Sequence, residues 1–232
     1  MKIAMWSGPR NLSTAMMYSF GNRADCAVLD EPFYAAYLDR TGIDHPMREE
    51  VLAHHDTDPD KVAKYLSGPP PGGAAHWYQK HMTFHMCDGF PWDWADDCVH
   101  VHLIRHPARV IASYAAKRAD FMLDDIGFRQ QVEIFDRFPG PVIDSFDVRQ
   151  NPKAALQALC AEIGLPWDPA MLSWSKGPRS EDGIWATHWY GAVHGSTGFA
   201  GAEGPLPEVD PRFGAMHRSA LKHYEHMARM KG

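Results

Sequence analysis

Basic residues are in short supply: the 232-residue chain sets 23 lysines and arginines against 29 aspartates and glutamates, a formal charge of −6. A protein that wraps nucleic acid draws on a basic excess to release counterions, so no nucleic-acid partner is expected and any polyanionic ligand must be met by local cations. Cysteine is scarce as well. Cys26, Cys87, Cys98 and Cys160 form neither a disulfide framework nor a CxxC knuckle, which points to a reducing compartment. Long apolar runs are missing. Ile3–Trp6 breaks at Ser7-Gly8-Pro9, short of a signal peptide's apolar region, and no stretch approaches the ~18 residues of a membrane span. The expectation is a cytoplasmic protein without leader or anchor. With 45 % hydrophobic and 22 % charged residues the composition is that of an ordinary globular chain, and its length suits a single domain over 1–232.

What is present alternates. Ile3–Trp6 reads as a buried strand, after which Leu12, Ala15, Met16 and Ser19 recur at helical spacing until Gly21. Cys26–Leu29 is a second apolar run, ended by Asp30-Glu31-Pro32. His76–Gln79, Val99–Ile104 and Pro141–Ile143 are further strand candidates. Val110, Ile111 and Tyr114 mark a helix after Pro107. Another opens at Asn151-Pro152, with Leu156, Leu159, Cys160 and Ile163 on one face and Gly164 and Pro166 as its stop. A last amphipathic helix is expected near Gly214–Met230. Residues 41–76, with DHP, HHDTDPD and GPPPGG, read as an acidic loop or lid excursion around a short helix near Lys61–Leu66. Strands alternating with helices predict an α/β fold, a mostly parallel central sheet covered on both faces.

Between the first strand and the first helix lies WSGPRNLSTAM, residues 6–16. A helix N-terminus presents unpaired N–H groups and about half a positive charge, and the Ser13 and Thr14 hydroxyls add donors, which is the chemistry of a phosphate cradle. A Walker A loop would place Gly-Lys before the hydroxyl residue. Leu12 stands there instead, so the metal-nucleotide version of the loop is defective, and the positive charge comes from Arg10. A second segment, LIRHPARVIASY at residues 103–114, closes a strand with Arg105 and sets Ser113 eight residues later on a helix. The two can clasp one phosphate, with bidentate bonds from the guanidinium.

These two segments resemble the sulfotransferase family. PRNLST is similar to its 5′-phosphosulfate loop, usually PKSGTT or PRSGST, and RHPARVIAS resembles its 3′-phosphate motif, in the expected order. IDSFDVRQNPKAALQALCAEIGLP at 143–166 and, more weakly, WATHWYGAVHGSTGF at 185–199 are also similar to family segments. The resemblance implies a P-loop NTPase-like three-layer sandwich that takes 3′-phosphoadenosine 5′-phosphosulfate as co-substrate and passes its sulfuryl group to a small-molecule hydroxyl or amine. It implies donor contacts from Gly8, Pro9, Arg10, Asn11, Leu12, Ser13, Thr14, Arg105 and Ser113. Leu12 departs from the family glycine.

For the chemistry, the resemblance implies Arg10 and Lys80 as stabilisers of the leaving phosphate and Glu31 as general base. Burial beside Pro32, Phe33 and Tyr34 would lift the Glu31 carboxyl toward neutrality. Family members of the small-molecule type carry Lys-x-His, whereas this chain has Lys80-His81. Adjacent strand residues face opposite sides, so His81 reads as a core or supporting histidine and is an alternative base only if the strand bends. Trp6, Trp185 and Trp189 are candidates to stack on adenine, although core packing is the commoner use. No metal is expected: His81, His85 and Cys87, or Cys98, His100 and His102, lack a convincing ligand geometry. A P-loop kinase or hydrolase, with CAVLDE as a Walker B strand, and a non-catalytic nucleotide-binding module remain the alternatives. A homodimer stays open.

Overall fold

The computed structural model describes residues 1–118 and 120–232. Five strands form one parallel sheet: β1 (Lys2–Ser7), β2 (Cys26–Asp30), β3 (His76–Met82), β4 (Cys98–Ile104) and β5 (Val142–Asp144), in the order β2-β3-β1-β4-β5. The register sets Met5 between Lys80 on β3 and Val101 on β4. Strand alternation then sorts the side chains. Ile3, Met5, Tyr78, Val101 and Leu103 pack on one face, while Ala4, Trp6 and Trp77 pack on the other, as period-2 side chains must. Both faces are apolar, which a parallel sheet covered by helices requires.

Helices α1 (Ser13–Gly21) and α2 (Tyr34–Thr41) follow the first two strands, then α3 (Arg48–His54) and α4 (Pro59–Ser67). The chain continues through α5 (Pro107–Ala115), α6 (Phe128–Arg137), α7 (Ser145–Gln150), α8 (Pro152–Glu162), two short turns α9 (Ala186–Trp189) and α10 (Gly191–His194), and α11 (Gly214–Ala228). Helix α8 forms as its sequence predicts. The Asn151 side chain accepts from Ala154 N–H at 3.1 Å, Pro152 occupies the first turn, and Leu156, Leu159 and Cys160 are buried. That satisfies one of the orphan donors at the helix start. Helices α1 and α8 cover the first face; α4 and α6 cover the second.

Residues 41–76 differ from the loop reading. They hold two helices, and α4 extends beyond Lys61–Leu66. Its Asp58 cap accepts from Asp60 N–H at 2.9 Å, and Val62, Ala63 and Leu66 pack with Ala4, Trp6 and Trp77. This amphipathic helix is a layer of the sandwich, not a lid. Helices α2 and α6 also go beyond the sequence reading. In α2, Phe33 and Ala36 join one apolar cluster while Ala35 and Leu38 join the other, so burial on two sides erases the one-faced periodicity that marks a helix in sequence.

Candidate active site

The carboxyl ends of β1, β2, β3 and β4 open into one cavity of about 290 Å³, at the switch point where open α/β sheets bind ligands. Its walls include Pro9 through Ala15 from the β1–α1 loop, Glu31, Lys80, Met82 and Arg105 from the other strand ends, and Tyr190 and Trp189 from the C-terminal stretch. Arg10, Leu12 and Glu31 hold positive φ values of 62°, 74° and 41°. Such backbone costs an ordinary residue about 1–3 kcal/mol and clusters at functional sites. Leu12 therefore adopts the left-handed conformation that glycine would take at no cost, just before the first helical residue, Ser13.

Glu31 is pinned at both ends. Its N–H donates to Lys80 C=O at 3.0 Å and its own carbonyl accepts from Tyr34 N–H at 3.0 Å. Lys80 Nζ, wholly buried, donates to Asp30 Oδ1 at 2.9 Å, to Glu31 Oε1 at 2.6 Å, and to the Tyr190 hydroxyl. Tyr190 donates in turn to Asp30 Oδ2 at 2.7 Å and accepts from Trp185 Nε1 at 3.1 Å. Three ammonium hydrogens have three partners. In this arrangement Lys80, expected to stabilise the leaving phosphate, gives all three donors to Asp30, Glu31 and Tyr190. Burial pulls the ammonium down, but Asp30 and Glu31 outweigh it and hold Lys80 above its ordinary value. Glu31 moves upward through burial and, secondarily, through Asp30, against the pull of Lys80.

After β1 and β4, Arg10 Nε donates to Ser113 Oγ at 2.9 Å, and Arg105 Nη1 donates to the Arg10 carbonyl at 2.6 Å. Burial and then the Arg105 charge push the Arg10 guanidinium down. Arg105 Nε is buried without a hydrogen-bond partner. Arg105 also pairs with the buried Glu203 carboxylate, so Arg10 and the free Nε of Arg105 are the donors these two guanidiniums leave open to an anion. Asn11 secures the loop by donating to Leu103 C=O at 3.2 Å.

Among the expected site residues, Pro9, Arg10, Asn11, Leu12, Ser13, Thr14, Glu31, Lys80 and Arg105 converge on the cavity wall; Gly8, His81 and Ser113 do not. Ser113 reaches the site through Arg10. Gly8 serves packing instead: a Cβ there would lie 2.6 Å from the Ile126 carbonyl. His81 takes the core position and not that of the alternative base. It points away from Lys80 and stacks on Trp6 at 4.6 Å and Trp94 at 4.7 Å, and burial drives its pKa down to about 3. β3 stays regular through Met82, so the bend that would turn His81 inward does not occur.

Trp6 and Trp185 are wholly enclosed, whereas Trp189 lines the cavity. His100 accepts from Trp6 Nε1 and faces Ala95 C=O; His102 is held by Gln131 and Phe138. Among the described residues no group of three His, Cys, Asp or Glu side chains is placed to hold a metal ion, and no helix is long and apolar enough to cross a membrane. Sequence reasoning missed Tyr34, His45, His85 and Tyr190. His85 Nδ1 lies 4.0 Å from Glu31 Oε2 and its ring stacks on Tyr34 at 4.7 Å; burial keeps it well below its ordinary pKa. Tyr190 stood within the weakly matching 185–199 segment, which was the one available signal.

The fold and this strand-end cavity define an α/β protein of the P-loop-like sulfotransferase architecture. The profile described as "Sulfotransferase domain" matches residues 1–231, and the chain belongs to that family. Two Arabidopsis thaliana proteins, "Branched-chain-amino-acid aminotransferase-like protein 2" and "protein 1", are each 36 % identical over 95 % and 98 % of this chain. The chain spans only 39 % and 40 % of their lengths. Among solved structures, a sulfotransferase from Alicyclobacillus acidocaldarius superposes with TM-score 0.58 at 12 % identity, covering 99 % of this chain and 96 % of that one. The "Sulfotransferase Domain from the Curacin Biosynthetic Pathway" gives 0.57 at 13 % identity, with 96 % of each chain covered. At that identity these structures speak to the fold.

Proposed function

We propose that the chain transfers a sulfuryl group from 3′-phosphoadenosine 5′-phosphosulfate to a hydroxyl or amine of a small-molecule acceptor. The observation that carries this reading is one cavity shared by two groups: Glu31, held by Lys80, from the β2 and β3 ends, and Arg10 and Arg105 from the β1 and β4 ends. The residues fit the donor, because the unpartnered Arg105 Nε and the crowded guanidiniums both gain from an anion. When bound, the donor supplies the activated sulfuryl group and the nucleotide leaving group.

In transfer, Glu31 takes the proton from the acceptor as its oxygen or nitrogen forms the new bond to sulfur. The electron pair of the broken bond stays on the nucleotide phosphate, whose charge Arg10 stabilises. A carboxyl raised above its usual range is the stronger base once ionised, and Lys80 holds its ionised form in place. Lys80 is thus a positioning residue, with Asp30 and Tyr190 behind it. The kinase reading meets an obstacle in the same contacts: Asp30 and Glu31, which a Walker B strand would turn toward a metal, are bonded to Lys80. The aminotransferase wording in the plant names finds no match at this site. Lys80, the lysine that lines the cavity, is kept protonated by two carboxylates and is no free amine nucleophile.

The test is a calorimetric titration with adenosine 3′,5′-bisphosphate in the absence of magnesium, followed by sulfate transfer to phenols, alcohols, sugars and amines. Metal-independent binding and transfer to one acceptor class support the reading. Binding of ATP that requires magnesium, with no affinity for the bisphosphate, overturns it.

A further inference from the structure

Glu203 belongs to a surface segment. Its neighbours Gly201, Ala202 and Gly204 are exposed, and no helix or strand covers residues 201–210. Yet its carboxylate is 1 % exposed and is gripped by three guanidiniums. Arg105 at the end of β4 pairs with Oε1, Arg149 on α7 donates to the same oxygen at 2.8 Å, and Arg109 on α5 reaches Oε2 at 2.8 Å. The segment is further tied down by Arg149 Nε on the Gly201 carbonyl at 2.9 Å and by Arg109 on the Gly204 carbonyl. The same stretch of chain, through Ser196, Gly198 and Ala200, walls the cavity.

Three positive charges around one negative charge leave an excess of two. A carboxylate brings two acceptor oxygens, whereas a phosphate monoester brings three and about −1.5 to −2 charge at neutral pH. The arginine cluster therefore suits the phosphate better than its resident. Arg105 and Ser113, which the sequence reading set to clasp one phosphate, are each engaged internally, by Glu203 and by Arg10.

We propose that Arg105, Arg109 and Arg149 together form the site for the 3′-phosphate of the nucleotide, and that Glu203 occupies it as an internal anion which the phosphate must displace. The inference rests on the proposed nucleotide donor. It adds Arg109 and Arg149 to the binding set and makes the 201–206 segment a latch. Because Glu203 competes, the apparent affinity is reduced by the fraction of molecules in which the latch is closed.

The experiment titrates wild type, Glu203→Gln and Glu203→Asp with adenosine 3′,5′-bisphosphate and, separately, with adenosine 5′-monophosphate, which lacks the 3′-phosphate. Glu203→Gln should bind the bisphosphate at least about tenfold more tightly, with the monophosphate changed less than about twofold. Glu203→Asp keeps the charge that balances the arginines but is one methylene short, so it guards against misfolding of the neutral variant; a gain of at least about threefold is expected. Unchanged or weaker bisphosphate binding in a folded variant overturns the latch alone. Equal gains for both nucleotides also overturn it, since the competition would not be at the 3′-phosphate. If no protein, wild type included, binds the bisphosphate, the donor reading falls and the latch with it.

Discussion

Lys80 Nζ lies 2.6 Å from Glu31 Oε1 while also donating to Asp30 Oδ1 at 2.9 Å, so one buried cation bridges the carboxylates of two consecutive residues. In an extended strand those two side chains would face opposite sides. The positive φ of 41° at Glu31 breaks the alternation and brings the second carboxylate to the same ammonium.

Removing that cation leaves two buried carboxylates with no counter-charge. Lys80→Met should cost about 3–5 kcal/mol of stability at pH 8. The loss should shrink toward pH 5, because protonating one carboxylate relieves the repulsion. Urea unfolding at the two pH values measures this, and an equal loss at both would show that the pair is not charged in the folded chain.

Glu31→Gln should lower transfer by about 10²–10⁴-fold while bisphosphate affinity in the same preparation holds. Since burial raises the Glu31 carboxyl, the acidic limb of the kcat profile should lie above the ordinary carboxylate range. For stability the sign is opposite to that of a typical acid. A raised folded-state pKa contributes stability that is complete below the unfolded value of 4.5 and is lost as pH rises through the folded one. Wild-type activity in Glu31→Gln would remove Glu31 as the base.

The buried histidines predict acid sensitivity. His81 is pushed down to about 3 and His102 to about 4, chiefly by burial. The unfolded chain therefore binds more protons than the folded one below 6.5. Their contribution is complete above that value and drains away as pH falls, by about 2 kcal/mol per histidine at pH 5. Replacing His81 with phenylalanine, which can stack on Trp6 and Trp94, should flatten the pH dependence of the urea midpoint between pH 7 and 5. A slope unchanged from wild type would place the proton uptake elsewhere.

Leu12 tests the loop. Its left-handed backbone costs an L-residue about 1–2 kcal/mol, which Leu12→Gly recovers against the loss of a half-buried side chain, so the melting temperature should move little. Leu12→Val adds a β-branched side chain at the same φ of 74° and should be clearly less stable by calorimetry. A valine variant as stable as wild type would mean that the turn relaxes.

Much of the fold was legible because its signals are local. Gly8-Pro9 after an apolar run, Pro107 after Arg105 and the Asn151-Pro152 start each act within a few residues, and all three mark real element boundaries. Helix α2 was not legible, since its residues are buried on two sides and show no single apolar face. The site divides in the same way. Arg10, Glu31, Lys80 and Arg105 end or follow strands, where parallel order brings them together. Tyr190, His85 and Glu203 come from segments with no periodic pattern, and only packing sets them against those ends.

The sequence by itself determined the alternation of strands and helices, the Gly-Pro loop after the first strand and the family, because hydrophobic period, turn residues and short motifs depend on neighbours along the chain. Tertiary structure alone decided what each charge does. Lys80 became a holder of Glu31, and Glu203 the partner of three arginines from three elements. Those roles depend on burial and on contacts across tens to more than a hundred residues, where a charge must find its counter-ion or forfeit its solvation.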